Sequence, residues 1–242
     1  MIPSNPTAAT RASNRNMLDR ALSPEMGWTM ERGVALLAVV LTQSSIAFAA
    51  EIVEQPIWRI NDTWTYTRTA HADAQTHVTE RSRYTLAVSA KTQDYYTVEY
   101  SSFDSDGKLS RALQYWSMAT NFVNRGGNGG KLQEFLWYKW PLVEGNTWET
   151  TWFHPTVGEA PWTAKVRGWE TVTVPAGTFR AMRIELENSC YYNSVDAGVC
   201  SQTDVVWYSP LVKRHVRLER RAYKGTYVGR NVEEELVSYS TQ

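Results

Sequence analysis

Apolar and polar side chains alternate through much of the chain after residue 50, and this pattern restricts the fold more than any other feature. In residues 180–187 (RAMRIELE), Met182, Ile184 and Leu186 fall on one face of an extended strand, and charged side chains fall on the other. Residues 76–88 and 212–219 show the same alternation, which is typical of a β-strand with one solvated face. No segment after residue 50 keeps a helical period for about twelve residues. The sequence therefore predicts an all-β fold.

Turn signals separate these strand-like segments at short intervals. Asp104–Gly107 (DSDG) is typical of a hairpin, and Pro175–Gly177 (PAG) is typical of a type I turn closed by a glycine bulge. Residues 124–130 (NRGGNGG) contain too much glycine for a helix or a strand. Because short connections favour antiparallel neighbours, we predict a single antiparallel, strongly curved sheet. It would be a meander of roughly eight to eleven strands, curved as far as a half-barrel.

The N-terminal region has the pattern of a secretory signal. Charged residues 31–32 precede an apolar segment at 33–41 (GVALLAVVL), and residues 47–49 (AFA) fit the small-residue rule for signal peptidase. We therefore predict cleavage between Ala49 and Ala50. A membrane anchor or a buried helix is the alternative, but the apolar segment is much shorter than the roughly 20 residues that span a membrane.

The signal divides the chain into two parts. Residues 1–49 form the signal peptide, whose long polar extension indicates that translation starts at Met26 or Met30, and residues 50–242 form a single β-domain around one core. We expect this domain in the periplasm or outside the cell, and not spanning the membrane. The chain's 25 Lys and Arg balance its 25 Asp and Glu, which excludes nucleic-acid binding through bulk positive charge.

Cys190 and Cys200 flank a predicted turn at residues 195–198. In an exported protein, two cysteines across a hairpin favour a disulfide. Closing this loop of about eleven residues would stabilise the fold by roughly 2–3 kcal/mol. The alternative is a reactive pair, but the spacing differs from C-x-x-C and no histidine lies nearby in the sequence. We predict a structural disulfide.

Aromatic side chains are unusually frequent, with 11 Trp and 13 Tyr beside 6 Phe. In residues 135–140 (FLWYKW) the alternation fails, because large apolar side chains occupy both faces of a predicted strand. Such a strand is either covered on both faces or lines a ligand cavity. Core packing and a groove for an apolar or sugar ligand both stay open, since Trp and Tyr combine apolar contact with a polar edge. The candidate ligand-binding residues are Phe135, Trp137, Tyr138, Trp140, Trp152, Trp162 and Trp169.

Catalytic and metal-binding patterns are weak. The chain has four scattered histidines, His71, His77, His154 and His215. Zinc sites usually need at least three protein ligands, and the sequence contains no G-x-S-x-G motif. We therefore predict no catalytic residue, no metal and no cofactor. The basic run at 213–221 alternates with Val216 and Leu218, which indicates a solvated strand face or, as the alternative, a docking patch for an anionic envelope component.

Four segments together resemble a recurring bacterial pattern: NDTWTY at 61–66, WPLVEGNTW at 140–148, GWETVTVPAGTFRAMRIE at 168–185 and VVWYSPLVKRHVRLE at 205–219. Its strongest parts are Glu170–Phe179 and Trp207–Pro210. The pattern is similar to families of exported, β-rich bacterial proteins of unknown function, and the likeness covers most of residues 58–221. The resemblance implies an envelope location and a curved antiparallel sheet. It implies no reaction, and no catalytic residue is carried over.

These patterns favour an exported, non-catalytic binding or scaffold protein of the bacterial envelope, which holds an apolar or amphipathic ligand such as a lipid on a concave aromatic face. The first alternative is a module that docks a protein partner of the envelope through a sheet edge or the basic strand near Lys213. The second is a hydrolase of an envelope polymer. A hydrolase would bring His or carboxylate groups with perturbed pKa values together in a pocket.

Overall fold

The computed structural model of the chain describes residues 51–71, 79–103, 106–124, 132–154, 158–190, 200–224, 227–228 and 231–242. The predicted signal peptide, its cleavage site and the alternative starts lie outside these residues. So do Asp104, most of the glycine-rich loop and the turn at 195–198. In the part of the chain that is described, no helix is long and apolar enough to cross a membrane.

The described chain folds into one antiparallel sheet of thirteen strands, so the predicted all-β fold is confirmed, with more strands than the predicted range. The strands are β1 (Thr63–His71), β2 (Thr79–Lys91), β3 (Tyr95–Phe103), β4 (Leu109–Ser117), β5 (Phe122–Asn124), β6 (Gln133–Phe135), β7 (Thr147–His154), β8 (Gly158–Val174), β9 (Gly177–Cys190), β10 (Cys200–Ser209), β11 (Arg214–Lys224), β12 (Tyr227–Val228) and β13 (Asn231–Ser240).

The strand order makes the sheet a nearly closed barrel. Neighbours follow one another in sequence from β1 to β6 and from β7 to β11, and β13 pairs with both β1 and β11. The two ends of the sheet, β6 and β7, meet at a seam made by hydrogen bonds that involve side chains. There, Trp148 Nε1 donates to Leu136 O (2.9 Å), and Leu136 N donates to the Thr150 hydroxyl (2.9 Å). The meander therefore curves beyond the predicted half-barrel.

Burial follows the predicted alternation along the strands. In β9, Met182, Ile184 and Leu186 are fully buried, whereas Glu187 is exposed. The predicted hairpin at Pro175–Gly177 joins β8 to β9. Gly177 adopts a backbone φ of 135°, which residues with a Cβ atom rarely adopt. A pleated strand with one buried face and tight turns thus forms where the sequence predicts it.

One end of the barrel is closed by the segment that precedes β1. Trp58 is fully buried, and its ring lies 5.0, 5.4 and 5.6 Å from the ring centroids of Trp64, Tyr96 and Trp116. Its Nε1 donates to Lys213 O at 2.9 Å, which ties the segment to the start of β11. This end, called the packed end below, is filled with aromatic side chains.

Candidate functional site

The barrel contains a cavity of about 520 Å³ beyond the packed end. Binding sites for small molecules usually measure roughly 300–1,000 Å³. Side chains of β1–β8, β10, β11 and β13, with two residues of the loop after β6, line the cavity. They are Arg68, Tyr84, Leu86, Tyr100, Gln114, Trp116, Phe122, Phe135, Trp137, Tyr138, Trp152, Trp162, Gln202, Asp204, Arg214, His215, Leu218, Arg220 and Glu234. One part of this wall is aromatic and the other part is charged.

The aromatic wall lies around the seam between β6 and β7. Phe135 is at its centre, with ring centroids 5.7 Å from Trp152 and 5.6 Å from Trp162, both edge to face. Phe122 contacts Trp152 at 5.8 Å and Trp116 at 5.6 Å, which extends the group towards the packed end. Edge-to-face and tilted pairs at these distances are favourable. The rings therefore form one contiguous apolar surface inside the barrel.

The structure brings most of the predicted ligand-binding residues together. Those that line the cavity are Phe135, Trp137, Tyr138, Trp152 and Trp162. Trp140 does not, since it packs against Tyr208 and donates from Nε1 to Ala119 O at 2.7 Å. Trp169 does not either, and the Arg180 guanidinium lies 4.2 Å above its ring. A role in ligand binding stays a prediction for the residues that line the cavity.

The interpretation of residues 135–140 as one strand with two apolar faces is wrong. β6 ends at Phe135, and Trp137 N donates to Phe135 O at 3.0 Å, so the chain turns out of the sheet. The amide of Asn121 then holds the backbone, because it donates to Tyr138 O (2.9 Å) and accepts from Tyr138 N (2.8 Å). The alternation fails here because the segment leaves the strand, and its aromatic side chains are divided between the cavity and the packed interior.

The charged wall is centred on Glu234 of β13. The Tyr84 hydroxyl donates to its carboxylate at 2.6 Å, and Arg68 Nε and His215 Nε2 lie 3.6 and 3.7 Å away. Burial alone would raise the pKa of Glu234, but the neighbouring His215, the Tyr84 hydroxyl and the Arg68 charge outweigh it and lower that pKa to about 2. Burial, together with the charge of Arg214, outweighs the opposing effect of Glu234 and lowers the pKa of His215 below 6.5, which favours a neutral imidazole at pH 7.

A second ion pair lies on β10 and β11. Asp204 is buried, and Arg220 donates to its two carboxylate oxygens from Nε at 2.9 Å and from Nη2 at 2.7 Å. Gln202 adds a hydrogen bond at 2.8 Å. A bidentate ion pair of this kind is stronger than a single hydrogen bond and fixes both side chains. Each carboxylate of the cavity wall is therefore engaged by an arginine and at least one further donor.

Unlike Arg68 and Arg220, Arg214 of β11 forms no ion pair with a carboxylate of the described residues. It is only 4% exposed, and its Nε and Nη1 have no hydrogen-bond partner in the described part of the chain. Its Cζ lies 4.3, 5.4 and 5.6 Å from the ring centroids of Trp116, Trp58 and Trp64. Trp58 and Trp64 belong to the packed end, so the Arg214 guanidinium forms the floor of the cavity.

The prediction of a solvated basic face at residues 213–221 is wrong for part of the run. A register shift in the pairing with β10 makes Val216 an extra residue, which is a β-bulge. As a result, the consecutive residues Arg214, His215 and Val216 are all buried. The bulge interrupts the strict alternation, which would place Arg214 and His215 on opposite faces of the strand.

Among the described side chains, His215 is the histidine that lines the cavity. His71 is exposed, His77 lies outside the described residues, and only the backbone of His154 is described. Within the described ranges, no group of three or more His, Cys, Asp or Glu side chains could hold a metal ion.

Cys190 and Cys200 lie directly opposite each other in the pairing of β9 with β10. Opposed residues of antiparallel strands have Cα atoms about 4.5–5.5 Å apart, which is within the span of a disulfide. The structure describes only the backbone at these two residues, so the disulfide stays a prediction.

Sequence analysis missed the charged wall, although one signal for it exists. Glu234 shares the inward face of β13 with Val232 and Leu236, and Asp204 shares that of β10 with Val206. A carboxylate in an otherwise apolar row indicates a buried, partnered charge. Arg214 carries the same signal, because it alternates with the buried Val212 and Val216.

No family model and no curated protein matches the chain. Among solved structures, it is similar to a Bacteroides fragilis protein described as a "putative exported protein with YmcC-like fold" and to a "putative lipoprotein" from Parabacteroides distasonis. Each is 14% identical with a TM-score of 0.46, over 78% of this chain and 100% of the other.

Proposed function

We propose that this protein is an exported, non-catalytic carrier that holds an apolar or amphipathic small molecule inside its barrel. The observation that carries the proposal is the cavity of about 520 Å³ with a contiguous aromatic wall. This volume lies within the range of roughly 300–1,000 Å³ that is usual for small-molecule sites, and the walls of such sites are mostly apolar and aromatic. The predicted signal peptide supports export.

The ionisable groups of the cavity favour a hydrolase as the second candidate, because Glu234 and His215 both have shifted pKa values. The direction of the shift at Glu234 argues against acid–base catalysis. A glycoside hydrolase usually keeps one carboxyl group protonated through a raised pKa, whereas the pKa of Glu234 is lowered. Arg220 holds Asp204 in a bidentate ion pair. We therefore assign these groups to stabilising the barrel.

The docking-module alternative loses part of its support in the fold. Two members of the basic run, Arg214 and His215, are buried instead of facing solvent. A surface patch built from that strand would consequently be less basic than the sequence indicates.

The carrier proposal is tested with two tryptophan variants and a neutral apolar fluorophore, N-phenyl-naphthylamine, titrated into the processed protein purified without detergent. Trp137 and Trp169 are both partly buried, but only Trp137 lines the cavity. We expect saturable binding to the wild type and about tenfold weaker binding to Trp137→Ala, since a ring contact of 1–2 kcal/mol is lost. Trp169→Ala should bind like the wild type.

Far-ultraviolet circular dichroism provides the folding control for both variants. Both variants should keep the β-sheet signal of the wild type. Absence of saturable binding to the wild type would contradict the carrier proposal. Loss of folding in Trp137→Ala would instead support the interpretation of these rings as core.

A further inference from the structure

The charges on the cavity wall do not balance. The ionisable side chains that line it include three arginines, Arg68, Arg214 and Arg220, and two carboxylates, Asp204 and Glu234. With His215 neutral, the wall therefore carries one surplus positive charge. The surplus has a definite position, because Arg220 pairs with Asp204 and Arg68 lies 3.6 Å from Glu234.

Arg214 carries this surplus. Its side chain is almost fully buried and lines the cavity, and it forms no ion pair with the described residues; Nε and Nη1 are covered by surrounding atoms and have no hydrogen-bond partner among those residues. A buried cation without an anionic partner is costly, and protein interiors almost always supply one. The missing partner is best placed in the open space that Arg214 faces.

The tryptophan rings around Arg214 do not replace that partner. Trp116, Trp58 and Trp64 lie within 4.3 to 5.6 Å of the guanidinium carbon and can stabilise the cation through their π-faces. Such contacts leave N–H donors unused, since a guanidinium has five of them in its own plane. A guanidinium that lines a cavity suits the oxygens of a carboxylate.

We propose that the ligand is a carboxylate amphiphile, whose carboxylate accepts hydrogen bonds from Arg214 at the cavity floor. Its apolar chain then lies along the aromatic wall formed by Phe122, Phe135 and Trp152. This inference rests on the carrier function proposed above and specifies its ligand class. It also explains why a buried arginine occupies the boundary between the packed end and the cavity.

The test uses a pair of probes that differ only in the head group, dodecanoate and dodecanol, with affinities measured by isothermal titration calorimetry. We expect the wild type to bind dodecanoate about tenfold or more tightly than dodecanol, as a charge-assisted hydrogen bond allows. Arg214→Met should reduce this ratio to about one and keep the affinity for dodecanol, and Arg214→Lys should retain part of the preference. Arg180→Met is the matched control, because Arg180 also lies over a tryptophan ring but does not line the cavity.

The possible failures are distinguishable. Equal binding of both probes to the wild type would overturn the carboxylate assignment and leave the carrier function standing. An unchanged preference in Arg214→Met would likewise overturn the role of Arg214, provided that its circular dichroism shows a folded barrel. Failure of both probes to bind the wild type would count against the carrier function itself, and the inference would fall with it.

Discussion

Replacing Tyr84 with phenylalanine removes one oxygen atom from the charged wall and leaves the ring in place. The Tyr84 hydroxyl is the nearest donor to the Glu234 carboxylate, at 2.6 Å, against 3.6 and 3.7 Å for the arginine and histidine nitrogens. A hydrogen bond to a charged group contributes roughly 1.5–3 kcal/mol. Because Glu234 is largely buried, water compensates little of this loss. We therefore expect Tyr84→Phe to lower the free energy of unfolding by about 2 kcal/mol at pH 7.

The pH dependence of this loss identifies the carboxylate as its source. The pKa of Glu234 is lowered from 4.5 to about 2 in the folded protein, so its ionised form contributes stability that is fully present above pH 4.5 and is lost as the pH falls towards 2. Tyr84→Phe removes part of that contribution. The difference between variant and wild type should therefore narrow as the pH is lowered through this range.

Urea denaturation at a series of pH values measures both effects. Tyr100→Phe is the control, because the Tyr100 ring lies 5.3 Å from that of Tyr84 and lines the same cavity. The Tyr100 hydroxyl makes no hydrogen bond to a carboxylate of the described residues. Removing it should therefore lower the free energy of unfolding by less than about 0.5 kcal/mol. The reasoning is refuted if Tyr84→Phe is as stable as Tyr100→Phe at pH 7, or if its deficit is the same at all pH values.

Two further predictions concern the barrel wall. Trp148→Phe removes the hydrogen bond from Nε1 to Leu136 O at the seam, so the free energy of unfolding should fall by about 1 kcal/mol. Amide hydrogen exchange should then rise first in β6 and β7. A uniform rise in exchange along the barrel would contradict a role of this bond in closing the seam. Reduction of the predicted bridge between Cys190 and Cys200 should add two hydrogens to the intact mass and destabilise the protein by roughly 2–3 kcal/mol. Free thiols in the freshly purified protein would contradict the bridge.

The sheet was predictable from the sequence because its physical causes are local. Alternation as in Met182, Ile184 and Leu186 fixes which face of a strand is buried, and a turn such as Pro175–Gly177 fixes an antiparallel hairpin. Closure of the barrel was not predictable in the same way. It depends on the pairing of β1 with β13 and on Trp148 reaching Leu136, which are contacts between distant parts of the chain.

The candidate site was only half predictable. A high density of tryptophan indicates either a core or a ligand site, and the sequence alone does not show that Phe135, Trp152 and Trp162 surround a common space. The charged wall depends on long-range partners, as in the contact of Tyr84 with Glu234. The burial of His215 breaks the alternation and depends on a bulge at Val216 that shifts the register of β11, and no sequence period records a shift of this kind.

Native mass spectrometry tests the claim that the barrel interior is a ligand site. The full chain would be expressed with its own N-terminal segment, purified without detergent, and measured both intact and after extraction with organic solvent. The account predicts a polypeptide of residues 50–242, lighter by two hydrogens, that carries a reproducible bound amphiphile with a carboxylate group. Trp137→Ala should carry much less of the same compound. The claim would be contradicted by a wild-type protein that is reproducibly empty and whose extract contains no compound that is absent from the Trp137→Ala extract.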